Sequence, residues 1–96
     1  MTKLNQKLKH LDKLIVQTSN DSKSDWASQE GMVSMYKQDL ADFVNVHDAV
    51  KCGHFNGAKK LLQYMDTLPR EAAVVALAYD LGKEWVAENL EFEVKI

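Results

Sequence analysis

The chain has 96 residues, 46% hydrophobic and 27% charged, with twelve basic and fourteen acidic side chains for a formal net charge of −2. That length supports one domain with one modest core, the mixture is too apolar for a disordered chain, and four glycines and one proline are too few for the many turns of an all-β design. The single cysteine, Cys52, excludes an intramolecular disulfide, and with no signal-peptide pattern or long apolar run the expectation is a cytoplasmic chain.

The charge is unevenly spread. Residues 1–23 carry five lysines against Asp12 and Asp21, a net +3, whereas residues 66–96 carry Arg70, Lys83 and Lys95 against seven acids, a net −4. Solvated faces that attract each other within the fold or across a dimer account for this pattern, as does one end that docks an oppositely charged partner.

The first helix is predicted over Thr2 to Thr18. Leu4, Leu8, Leu11 and Ile15 recur at spacings of four and three, Leu14 widens the stripe, and Lys3, Lys7, Lys9 and Lys13 lie off it. The seam lasts barely two heptads, so it reads as a bundle helix rather than a coiled coil. It has no Trp or Phe to anchor it on a membrane surface, and no membrane association is expected. Ser19 to Ser24 contain no apolar residue and several turn formers, which predicts a linker on which the first helix swings. A mobile first helix would meet a partner through Leu4, Leu8, Leu11 and Ile15.

Ser22 or Ser24 can cap a second helix in which Trp26, Val33, Tyr36, Leu40 and Phe43 or Val44 recur at helical spacing. A break or bend is expected near Asn45, and Gly53 is a natural left-handed stop. The following piece, AVKCGHFNGAKKLLQYM, reads as helix, tight turn, helix, with Ala58, Leu61, Leu62 and Met65 on the apolar face of its second arm. This hairpin resembles one unit of a tetratricopeptide-type helical repeat, where a glycine turn and a following alanine let helices approach closely. The resemblance implies a helical hairpin and nothing about function, since no second copy follows.

The stretch TLPREAAVVALAYDLGKEWVAENL, Thr67 to Leu90, is predicted to be the central helix. Thr67 is the expected cap, Pro69 sits in the first turn where its missing N–H costs nothing, and Glu71 complements the helix dipole. From Ala72 to Tyr79 the apolar residues occupy every side, with Ala72, Val75, Ala76 and Tyr79 on one face and Val74, Leu77, Ala78 and Leu81 on the other. A helix apolar all round demands cover all round, and this one is too short to span a bilayer. Gly82 either ends the helix or kinks it before Trp85. In the tail, Leu90, Phe92, Val94 and Ile96 alternate with Glu91, Glu93 and Lys95, which is strand patterning with no second strand in the chain to pair it. That strand is expected to pair outside its own chain, and Phe92 and Val94 become candidate partner-binding residues.

Chemistry finds little purchase. His47, Asp48, Cys52 and His54 are metal-ligating types within eight residues, but they lack the second separated cluster that zinc sites draw on, so no metal is expected. No phosphate-cradling glycine loop is present, and Cys52 with His54 gives no argued nucleophile and base; neither catalysis nor a cofactor is expected. Drawn as a helix-turn-helix, Ala58 to Tyr79 would offer DNA an apolar recognition helix, the wrong chemistry for base edges and phosphates.

These readings predict a mainly all-α protein, a single-domain bundle of four or five helices over residues 1–96 with a short C-terminal β-strand as an addition. The function expected is non-enzymatic and stoichiometric: a small regulator, adaptor or inhibitor that binds another protein, of which phage- or mobile-element-type inhibitors of a host enzyme are one kind, with a homodimer as a further outcome. The alternative is a nucleic-acid-associated regulator that uses the lysine-rich first helix.

Overall fold

A computed structural model describes residues 8–22 and 32–94, of which five helices are the only regular elements. They are α1 (Lys9–Ser22), α2 (Met32–Lys51), α3 (Phe55–Tyr64), α4 (Thr67–Leu81) and α5 (Lys83–Asn89). The fold is therefore the all-α bundle that the apolar spacings predict. Leu4 and Trp26 lie outside the described residues.

α1 lies between α2 and α4 and packs on both. Leu8 and Leu11 are fully buried in one core with Val46 and Val50 of α2 and Leu77 of α4, and Leu14 and Ile15 pack against that core. The sequence suggests a helix that swings on a linker at 19–24; residues 19–22 are helical instead, and 23–24 lie outside the described residues. α1 continues through Ser19 to Ser22, because packing on two neighbours outweighs the weak helix preference of Ser and Asn.

A polar clamp accompanies this packing. The first amides of a helix have no partner within it, and those of His10 and Leu11 donate instead to the Asp80 carboxylate of α4, at 2.7 and 3.1 Å. The His10 ring adds an Nδ1 contact to the same carboxylate at 2.8 Å and stacks on Tyr79. The Asp80 side chain is 1% exposed, so its oxygens are met by these hydrogen bonds rather than by water.

α2 runs unbroken through Asn45, against the expected bend. Asn45 is exposed, where a poor helix former costs only tenths of a kcal/mol, while Phe43, Val46 and Val50 keep the buried stripe in register across it. α2 ends as predicted at Gly53, whose φ of 82° suits a residue without a Cβ, and the chain returns as α3 through a bond from the His54 amide to the Ala49 carbonyl. α4 begins one residue earlier than a Thr67 cap requires. Asp66 holds the cap position without a side-chain bond, and Pro69 falls third in the helix, still among the amides that need no helical partner. Gly82, at φ 99°, ends α4 and starts α5 in one step, and Trp85 of α5 then meets Phe55 edge to face at 5.1 Å.

No strand occurs among the described residues, and the predicted strand at Leu90–Ile96 is corrected for its described part. Leu90 is the fully buried cap of α5, and Glu91 follows at φ 58°, a left-handed residue outside strand geometry that ends the helix. The Lys59 ammonium pairs with the Glu91 carboxylate. Phe92 and Val94 then fold back against the core, and the alternation expresses one face on the bundle rather than a ladder.

Asp80→Asn keeps the shape of the clamp but replaces one acceptor oxygen with a donor that faces backbone N–H. It is expected to cost about 1–3 kcal/mol in urea unfolding with an unchanged slope. An unchanged midpoint would show that the clamp contributes nothing.

Candidate interaction surface

The central helix is not covered on every side. Leu68, Ala72, Val75 and Tyr79 recur at four, three and four residues along α4, which sets them on one stripe about 16 Å long. Its ends are open, with Leu68 79% and Tyr79 60% exposed, and Ala72 and Val75 between them are half-buried. The opposite side of α4, Ala73, Val74, Ala76, Leu77 and Ala78, is buried. The expected all-round cover is therefore corrected to cover with one gap.

Beside the stripe, the tail and α4 enclose a groove of about 310 Å³. Val74, Val75, Phe92 and Val94 form its apolar lining, and Arg70, Glu71 and Glu93 are its charged walls. Residues 91–94 make no backbone hydrogen bond to any described residue. The side chains of Arg70 and Glu93 are in no ion pair among the described residues. Tyr64, 89% exposed, stands at the corner where α3 turns into α4.

Of the residues expected to meet a partner, Phe92 and Val94 line this groove. Leu8 and Leu11 are instead spent on the internal core, and Ile15 packs against it. Leu68, Tyr79, Arg70 and Glu93 were not singled out by spacing as partner-binding. The signal available for one of them, Tyr79, was the absence of any polar face on the Ala72 to Tyr79 run.

The titratable clusters act in packing. His47 Nε2 is buried 2.9 Å from Asp12 Oδ1 but makes no hydrogen bond, so the two atoms are in close polar contact without hydrogen-bond geometry. Its Nδ1 lies 3.5 Å from Asp48. Cys52 and His54 are exposed, and no three potential metal ligands come together among the described residues. The His10 ring, joined to a buried carboxylate, stacks on Tyr79. No helix among the described residues is long and apolar enough to cross a membrane. The sequence matches no protein-family model, no curated protein and no solved structure.

In the first half of α2, burial raises the Asp39 carboxyl above the ordinary carboxylate range, and the neighbouring charges of Asp42 and Asp66 push it the same way. A carboxyl raised in the folded state takes up a proton more readily than in the unfolded chain. Its ionisation thus opposes folding above that raised value, and the penalty disappears as pH falls below the unfolded value. Asp39→Asn is accordingly expected to melt higher than the parent at pH 7. The difference should shrink to nothing on acidification through the carboxylate range, and a variant that melts lower at pH 7 would contradict the sign.

Proposed function

We propose that this protein is a stoichiometric protein-binding module, a small regulator, adaptor or inhibitor whose contact surface is the open stripe of α4. The observation that carries the reading is the exposure of Leu68 and Tyr79 at the two ends of the most apolar of the described helices. Single exposed apolar residues are ordinary on any surface, but two exposed and two half-buried ones on one helical stripe, beside a groove with apolar lining, form a contiguous patch of the kind that marks interaction sites. A rigid helix presenting anchors at one-turn intervals is also a recurring way for one protein to enter the groove of another. Tyr is among the residue types that dominate binding energy when a partner desolvates them. The groove lined by Phe92 and Val94 extends the patch sideways, so the tail contributes to the same surface.

The test is the paired substitution Leu68→Ser with Tyr79→Ser. Both side chains are largely in solvent, so the melting temperature should fall only slightly, by the lost stacking of Tyr79 on His10, worth about 0.5–1.5 kcal/mol. Proteins that co-purify stoichiometrically with the parent from source cells should be lost from the variant. If parent and variant retain the same set in the same amounts, the stripe is not the binding surface.

A further inference from the structure

We infer that residues 91–94 are a releasable strap, which lies beside Val74 and Val75 of α4 and competes there with the partner that the open stripe receives. The inference rests on the protein-binding reading above and names the regulation of that surface. Stripe and strap meet at Val75, which belongs to the first and also lines the groove between α4 and the tail. Phe92 and Val94 therefore stand next to apolar surface of α4 that is continuous with the stripe.

The strap is firm at its root and slightly held along its length. Leu90 is fully buried and its amide donates to the Val86 carbonyl, so the root is part of α5. Glu91 then turns the chain at a φ of 58°, a left-handed conformation that a residue with a Cβ seldom adopts unless its surroundings impose it. No backbone hydrogen bond imposes it, since residues 91–94 make none to any described residue. What holds the segment among the described residues is the pairing of Lys59 with Glu91 and the half-buried side chains of Phe92 and Val94. The Glu91 side chain is 64% exposed, and an ion pair so open to water contributes little. Packing is incomplete as well, because a groove of about 310 Å³ remains between the tail and α4. A short segment with few apolar contacts, no ladder and a disfavoured dihedral opens while the rest of a fold stays closed. Rotation of Glu91 into the extended region relieves that dihedral and carries Phe92 and Val94 off α4 together.

The experiment measures how often Val74 is uncovered. Val74 is 6% exposed although it lines the groove, so a thiol there reports the lifting of the strap. In the full chain with Cys52→Ser, the reporter is Val74→Cys and the reference is Val46→Cys, a fully buried position of α2 that is no part of the groove. Alkylation by uncharged iodoacetamide is scaled to the same thiols in the urea-unfolded chain. The Val74→Cys thiol is expected to react about tenfold faster than the Val46→Cys thiol, because strap release exposes it without unfolding the bundle. Lys59→Glu sets like charges at the root and should speed Val74→Cys about threefold, with Val46→Cys unchanged. Adding Glu91→Lys restores the pair with its charges exchanged and should return the slower rate. Equal protection of the two thiols, or a Lys59→Glu effect that is absent or shared by both, overturns the inference. No partner enters this assay, so its failure leaves the co-purification test of the stripe intact. Lys59→Glu is also expected to raise the amount of any protein that co-purifies through the stripe, and an unchanged amount overturns the competition.

Discussion

α4 has no polar face, and the remaining helices are arranged by that constraint. A helix whose residues 72–79 are all apolar gains stability only by burying them, and in a chain this short the cover must come from nearly every other element. α1, α3 and α5 each pack against it. The buried alanines Ala73, Ala76 and Ala78 set no side-chain bulk between α4 and its neighbours, so close approach replaces volume in the core. What the cover does not reach is the stripe from Leu68 to Tyr79. The bundle is thus both organised by α4 and left with an apolar surface by it.

α1 is the second half of this arrangement. It joins α2 to α4, and its start is fixed by a carboxylate carried on α4. The Asp80 clamp couples two requirements that are usually met separately: the free amides at a helix start need acceptors, and a buried carboxylate needs donors. Each meets the other, which sets the position of α1 along α4 more specifically than interchangeable leucine contacts could. His47 of α2 approaches Asp12 in the same turn of α1, at 2.9 Å.

Local features were legible in the sequence, and long-range ones were not. The Gly53 turn, the apolar face of α3 and the stripe of Leu8, Leu11 and Ile15 are written in spacing and in a residue that tolerates positive φ, and all three occur in the structure. Ser19 to Ser22 read as a linker because Ser, Asn and Asp compete with the helical backbone, a preference that packing on α2 and α4 overrides. Asn45 is a poor helix former for the same reason, but its exposure makes that preference inexpensive and the helix runs on through it. Asp80 gave no signal of its role, because its partners are seventy residues away in sequence. The candidate surface was half legible. Phe92 and Val94 stood out by alternation, but the gap over Leu68 and Tyr79 depends on how many helices reach α4, which no local pattern encodes.

The central claim is that α1 is an integral, clamped member of the core rather than an appended arm. Amide hydrogen exchange tests it most directly, since protection in native conditions reports the free energy of local opening. The account predicts that amides in the body of α1, including Leu14 and Ile15, exchange as slowly as those of Ala76 and Leu77 in α4, and that the clamped amides of His10 and Leu11 are protected despite their place at a helix start. Exchange throughout α1 at rates well above those of α4 would contradict it and return α1 to the status of a loosely attached helix.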